Sequence, residues 1–343
     1  MTTVFGVILV ILAGLSMGSI GWPIRFMRKY RFEQFWLVAM FFGLFVVPWA
    51  VTLTLCPHAF AGYGTIPSNV LIKSNLFALG WGIANILWVL SIVRIGSALT
   101  LAIMTGLGVA VGVTVPMVFK GTGLFSGSPD IGSPAANMVM AGIVVIILGV
   151  ILISLAGFGR DRTLRKMEQT SGGFLGGLIM CIVSGVLSAG IALSFVYSQG
   201  PIVEAMKIRG AGDVPASMAV WAAGLFSGML VNLVYPVIIM TKNRTWAVFA
   251  EGGRDFLLAM VMGAHFIVAV LLLGWGMITL GVLGASVGFG IMQTFQIMGG
   301  QIVGFLGGEW KGVTGKPRIQ MYAALVILVI AMIILAYSTM LAK

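Results

Sequence analysis

The spacing of the charged residues constrains this chain more than anything else in it. Stretches without Asp, Glu, Lys or Arg run over 1–24, 34–72, 74–93, 95–119, 131–159, 169–203, 214–241, 256–308 and 319–342. A helix needs ~20 predominantly apolar residues to cross a bilayer, where no water is available to satisfy a backbone N–H or C=O. Eight of the stretches hold one such helix each. The stretch 256–308 is long enough for two, with a natural break near Thr279 to Gly284. Ten crossings are expected, over about 3–22, 35–56, 70–93, 97–119, 135–157, 172–198, 216–240, 255–277, 283–305 and 319–341. Charged residues make up 8% of the chain and apolar ones 59%, against ~25% charged in an ordinary soluble domain. That leaves too little polar surface for a soluble enzyme, a disulfide scaffold or a disordered tail. Barrel strands are short and alternate in polarity, whereas these stretches are continuously apolar. The fold class read from the sequence is an all-α polytopic membrane protein.

The chain carries 20 Lys and Arg against 9 Asp and Glu, a net charge of +11. The positions of the cations assign this excess to topology and leave no nucleic-acid face. With ten crossings, the loops opposite the termini hold 15 cations, from Arg25, Arg28, Lys29 and Arg31 to Lys311, Lys316 and Arg318. The terminal side holds Lys73, Lys120, Lys207, Arg209 and Lys343. The positive-inside rule makes the 15-cation side cytoplasmic and puts both termini outside, in a bacterial inner membrane. The first stretch lacks a basic leader region, so it reads as a span and not as a cleaved signal. Cys56 and Cys181 have no disulfide or zinc spacing.

The longest basic connection, 158–171, lies at the midpoint. It divides the chain into 1–157 and 172–343, five helices each. An odd number of crossings per half forces the second half to be inverted relative to the first. Two weak internal echoes agree. FVVPWAVTL echoes LVYPVIIMT, matching Pro48 with Pro236, and WGIANI echoes MGAHFI, placing Asn85 beside the counterpart of His265. Inverted repeats are a build of secondary transporters, which hold substrate near the midplane where the repeats meet. GxxxG spacings at Gly14/Gly18, Gly108/Gly112, Gly172/Gly176, Gly224/Gly228, Gly284/Gly288, Gly300/Gly304 and Gly304/Gly308 predict close helix packing.

Much chemistry is missing. Glu33, Asp130, Asp161, Glu168, Glu204, Asp213, Glu251, Asp255 and Glu309 all fall in loops or at helix ends. That speaks against aspartyl proteases, diphosphate-binding transferases and carboxylate-lined cation pumps. KGVTGKPR at 311–318 lacks the first glycine of a phosphate-binding loop, and Pro317 follows its lysine. Two histidines, His58 and His265, are too few for a multi-histidine metal site, and no cofactor is implied. Glu33 and Glu309 stand beside Arg31 and Lys311, where salt bridges are expected.

The polar groups inside the spans are neutral: Asn75, Asn85, Asn232, Gln293, Gln296, Gln301, Ser16, Ser19, Ser184 and Ser188. Trp81, Asn85 and Trp88 share one helix face, as do Gln293, Gln296, Gly300 and Gly304. Amides donate to and accept from hydroxyls, and indole faces cover the C–H surface of a sugar. Trp81, Asn85, Trp88, Gln293, Gln296, Ser19 and Ser188 are therefore the candidate substrate-binding residues for a neutral polyol. Asn75 and Asn232 read as helix-to-helix bonds, and Trp36, Trp246 and Trp310 as interfacial belt residues. The 22 methionines read as apolar filler. His265 is the only histidine well inside a span, and histidine is the residue type that titrates near physiological pH. His265 is the candidate proton-coupling residue, with Glu33, Glu204, Asp255 and Glu309 as alternatives.

The first loop combines Pro23, Arg25, Arg28, Lys29, Tyr30, Phe32, Glu33 and Trp36, and PWAVTLTLCP at 48–57, WGIANI at 81–86 and GGQIVGFLGGEWKGVTGKPR at 299–318 follow it. In these motifs, the first loop above all, the chain resembles the L-rhamnose–proton symporter family of the drug/metabolite transporter superfamily. The resemblance implies ten helices in two inverted five-helix repeats and import of an L-rhamnose-like deoxy-sugar with a proton. The alternatives are an exporter of another small metabolite, a membrane-embedded enzyme, and a scaffold or channel subunit.

Overall fold

The computed structural model describes residues 2–95, 97–120, 129–164, 173–280 and 287–341, and among them every regular element is helical. The helices are α1 (Thr2–Ser19), α2 (Phe32–Met40), α3 (Val47–Leu55), α4 (Ala59–Gly64), α5 (Ser68–Ile95), α6 (Ser97–Val118), α7 (Pro134–Thr163), α8 (Phe174–Ser188), α9 (Gly190–Lys207), α10 (Asp213–Gly224), α11 (Phe226–Asn243), α12 (Val248–Glu251), α13 (Gly253–Leu280), α14 (Phe289–Leu306) and α15 (Lys316–Leu341). Seven segments are long and apolar enough to cross a membrane: Thr3–Phe26, Phe32–Leu55, Ser68–Ile92, Pro134–Thr163, Phe174–Lys207, Gly253–Leu280 and Lys316–Ser338. The bent pair α10 and α11 makes an eighth if counted as one span. α6 and α14 occupy the positions of the other two expected crossings. α14 carries three glutamines, Gln293, Gln296 and Gln301, among its apolar residues. The basic connection at 158–171 begins as the last turns of α7, while 165–172 lie outside the described residues, as do Gly172, Gly284 and most of the expected break at 279–284.

The helices form two groups. In one, α1 packs against α13 and α14, and α2 packs against α13. In the other, α5 packs against α8, α9 and α11, and α6 packs against α8. The groups meet where α2 touches α11, α3 touches α10, α10 touches α13 and α6 touches α14. α7 and α15 pack on each other, α7 also on α6 and α15 also on α14. Close packing needs bare backbone: a Cβ on Gly18 would lie 2.1 Å from the carbonyl oxygen of Gln296. In lipid such approach supplies much of the helix association.

Two spans are irregular, and side chains mend the damage. A π-helical turn at Phe41–Val46 precedes Pro48, which cannot donate to the carbonyl one turn back. α10 and α11 meet at an angle of 56°. There Ser194 Oγ donates to the carbonyl of Gly224 at 2.8 Å, and Asn75 Nδ2 to that of Ala223 at 2.9 Å. Asn75 Oδ1 accepts from the backbone N–H of Ser227 at 2.9 Å. The bend's freed backbone groups are thus satisfied inside the bundle, as burial in lipid demands. Asn75 acts here as the interhelix bond the sequence suggests.

The basic loops gather at one end. Glu309 accepts from Arg25 at 2.5 Å and from Arg160 at 2.8 Å, so its partners come from other loops and not from Lys311. Glu33 is buried and accepts from Thr245 Oγ1 at 3.2 Å, not from Arg31, whose backbone N–H instead caps onto Gln34. The Asp255 carboxylate takes the consecutive backbone N–H groups of Arg28, Lys29 and Tyr30 at 3.0, 2.6 and 3.0 Å. Trp310 is 3% exposed, stacks on Phe305 and lies under the Arg160 guanidinium. It is a packed anchor of this end and not a belt residue. At the other end Lys207 pairs with Asp213, and Lys120 with Asp130.

Candidate functional site

A cavity of about 190 Å³ lies between the two helix groups. One wall comes from α1, α2, α13 and α14 through Met17, Ile20, Trp36, Met40, Met262, Phe266, Phe289, Met292, Gln293 and Gln296. The other comes from α5, α6 and α9 with the end of α8, through Trp81, Asn85, Trp88, Leu101, Met104, Thr105, Ser188 and Ile191. Trp81 stacks on Phe266 across the gap at 6.2 Å. Trp36 on the first turns of α2, and Trp88 toward the Arg94 end of α5, set the cavity in the half nearer the basic loops.

Of the seven residues expected to bind substrate, six line this one cavity: Trp81, Asn85, Trp88, Gln293, Gln296 and Ser188. Helical spacing explains how α5 aims three of them at one space. Ser19 is the exception. Its hydroxyl donates to the carbonyl of Ser16 at 3.0 Å and lies 3.5 Å from His265 Nε2. His265 is also outside the lining, although its neighbours Met262 and Phe266 are part of it. Ser16 Oγ donates to the His265 carbonyl at 3.1 Å, tying α1 to α13.

The lining is mostly apolar, with a few polar groups whose bonding is incomplete. Among the described residues the Gln293 and Gln296 amides have no hydrogen-bond partner. Trp88 Nε1 is buried and likewise unpartnered. Ser188 Oγ already donates to the Gly185 carbonyl at 2.7 Å. Asn85 Nδ2 donates to Asn232 Oδ1 at 3.1 Å, and Trp36 Nε1 donates to the same oxygen at 3.1 Å. An unpaired buried polar group costs about 1–3 kcal/mol, a cost that a polar ligand recovers at Trp88, and the half-buried Gln293 and Gln296 amides line the same cavity with their hydrogen-bonding capacity open. A second recess, of about 470 Å³, opens at the far end of α13 among Gln199, Glu204, Lys207 and Met277. It is larger but more open, and it gathers none of the expected residues, so the enclosed cavity is the better ligand site.

Sequence reasoning missed three contributions. Trp36, read as a belt residue, faces the cavity because α2 packs inward onto α11 and α13. Asn232, read as an interhelix bond, is one, but it holds two cavity residues at once. Met17, Met40, Met104, Met262 and Met292, read as filler, give the cavity a deformable apolar wall. The one available signal was for Trp36, which falls in the first-loop motif.

A membrane bundle that is helical throughout its described residues, with a mostly apolar cavity carrying a few polar groups between two helix groups, has the build of a small-molecule transporter. The profile of the L-rhamnose-proton symport protein family matches residues 1–340, and the chain belongs to that family. An L-rhamnose-proton symporter of Pectobacterium atrosepticum is 25% identical over 319 residues, 90% of each chain. One of Yersinia pestis is 24% identical over 337 residues, 96% of each chain, and one of Yersinia pseudotuberculosis matches equally. The family is one of transporters and not of enzymes.

Proposed function

We propose that this protein imports L-rhamnose or a closely similar deoxy-sugar with a proton, by alternating access across the bacterial inner membrane. The observation that carries this reading is the cavity whose amides and indole are left without protein partners. Gln293, Gln296, Asn85 and Trp88 offer hydrogen bonds to hydroxyls, Trp81 offers an apolar face to ring C–H groups, and Ser188 edges the site. Membership of a family whose relatives are named L-rhamnose-proton symporters supports the same direction of transport. The exporter alternative has no comparable support.

The reading includes ten spans in two inverted repeats, 1–157 and 172–343, joined by 158–171. Support comes from the packing. Spans are counted as α1, α2–α3, α5, α6, α7, α8–α9, α10–α11, α13, α14 and α15. The first packs on the eighth and ninth, and the sixth on the third and fourth. The second packs on the eighth, and the seventh on the third. Both of the latter contacts run through glycines. A Cβ on Gly43 would meet Gly263, and one on Gly82 would meet Gly228, each at about 3 Å. Exchanging the halves therefore maps contacts onto contacts. The cation split places the basic loops and the cavity's nearer end in the cytoplasm, and both termini outside. On that orientation the cavity lies nearer the cytoplasmic face, and transport requires the two helix groups to rock about it.

His265 is assigned as the proton-coupling group. Ser19, beside its Nε2, is assigned to it and not to the sugar. No cofactor or nucleic acid enters the scheme, and the surrounding partner is the lipid bilayer. A thermal-shift titration of purified protein against a panel of hexoses and deoxyhexoses tests the substrate. A ligand at 100 times its Kd adds ~2.7 kcal/mol of stability, so a clear upward shift with L-rhamnose is expected. No shift with any sugar of the panel contradicts the reading.

A further inference from the structure

We infer that Asn232 and Trp36 are positioning residues that fix Asn85 as a hydrogen-bond acceptor toward the cavity, so that the site selects a sugar hydroxyl able to donate there. The inference rests on the cavity being the sugar site.

The argument is one of donor and acceptor inventory. An indole N–H donates and cannot accept, a backbone carbonyl accepts and cannot donate, and an amide offers one of each end. Asn232 is 1% exposed and sits between one of each fixed kind. Its nitrogen donates to the carbonyl of Gly228 at 2.8 Å, and its oxygen accepts from Trp36 Nε1 at 3.1 Å. Turning the Asn232 amide over would set nitrogen against the indole N–H and oxygen against a carbonyl, losing both bonds. Its orientation is therefore dictated. The oxygen that faces Trp36 also faces Asn85, and Asn85 can satisfy it only with Nδ2, at 3.1 Å. One N–H of the Asn85 amide is thereby committed, which fixes the orientation of the amide, and no described group donates to its Oδ1. A residue that could have offered either polarity offers an acceptor to the cavity it lines.

The relay crosses between the two helix groups. Trp36 stands on α2, while Asn232 and Asn85 stand on α11 and α5. The indole that sets the polarity of Asn85 thus belongs to the opposite group, and the selective form of the site exists while the two groups are closed at this point.

Fluorine in place of a hydroxyl keeps the size roughly and removes the donor. The test measures binding of L-rhamnose and of its monodeoxyfluoro analogues, one hydroxyl replaced at a time, to purified full-length protein. In the wild type, one ring position is expected where fluorine weakens binding at least about tenfold. Asn232→Leu frees the Asn85 amide to turn and should shrink the penalty at that same position to less than about threefold, whereas Trp36→Phe leaves the Gly228 carbonyl to orient Asn232 and should shrink it only in part. This ratio is internal to each protein, so a general loss of affinity or stability does not move it. Asn232→Asp keeps an acceptor for both donors and should keep the penalty, which a merely structural role for Asn232 does not predict. If Asn232→Leu is not recovered folded, Asn232→Ala, which removes the same acceptor, decides in its place. An unchanged penalty in the variants, or no fluorine penalty in a wild type that binds L-rhamnose, overturns the inference and leaves the sugar site standing. A wild type that binds no deoxy-sugar removes both.

Discussion

Two polar regions are buried in this apolar bundle, and they differ in how completely their groups are bonded. At the α10–α11 bend, Asn75 uses both ends of its amide on backbone groups of the broken helix, and Ser194 covers the Gly224 carbonyl. Ser74 and Ser198 close the cluster around Ser194. In the cavity, Gln293, Gln296 and the Trp88 indole have no hydrogen-bond partner among the described residues. Polarity alone does not separate structure from site in a membrane protein, since both regions contain amides and hydroxyls. The state of satisfaction does so only together with space for a ligand. Ser217, Trp221 and Trp310 also have buried polar atoms without a partner among the described residues, but they lie outside the cavity lining, whereas the open groups of the cavity face room that a ligand can fill.

The largest effect is expected from breaking the first region. Asn75→Leu removes the partner of the Ala223 carbonyl and of the Ser227 N–H, at about 1–3 kcal/mol for each group left unpaired. Melting of the purified variant should drop sharply, while protein that remains folded binds sugar with nearly native affinity. A native melting temperature would show that the bend does not depend on Asn75.

The converse pattern is expected in the cavity. Asn85→Ala and Gln296→Ala should each weaken sugar binding by roughly 5- to 150-fold with little change in melting temperature. Unchanged affinity in both variants returns these amides to a packing role. His265→Gln keeps a hydrogen-bonding side chain that cannot titrate. It should still exchange sugar down its gradient but lose the roughly tenfold uphill accumulation that one pH unit can drive with one proton per sugar. Full accumulation in this variant rules His265 out as the coupling group. The smallest change should come from Ser188→Ala. Its hydroxyl is already bonded to Gly185, so affinity should move by no more than about threefold, well below the cost of opening a buried bond.

The helices were legible because a membrane imposes one rule on every span, and the charge spacing exposes it. The long helices follow the charge-free stretches to within about six residues, while the short α4 and α12 were not expected and α12 lies in none of those stretches. The amides on α5 and α14 were legible for the opposite reason, since Asn and Gln are costly in lipid and stand out against their neighbours. What escaped were relations between distant segments. Nothing local to Glu309 indicates that Arg160, 149 residues away, is its partner. Nothing in α2 indicates that Trp36 turns inward, because a belt tryptophan and a cavity tryptophan look alike until the neighbouring helix is placed. Ser19 escaped for the same reason: as the last residue of α1 it lies beside His265, whereas Ile20, in the turn that follows, lines the cavity.

The account stands most directly on the two unpartnered glutamines of α14. The decisive measurement compares wild-type protein with the double variant Gln293→Leu/Gln296→Leu in membrane vesicles, following labelled L-rhamnose under an imposed inward proton gradient. The account predicts that the wild type accumulates the sugar and loses it when the gradient is collapsed. It predicts that the double variant reaches the membrane, melts at the wild-type temperature and accumulates none. Normal accumulation by the double variant would contradict the claim that unsatisfied polar groups mark the transport site.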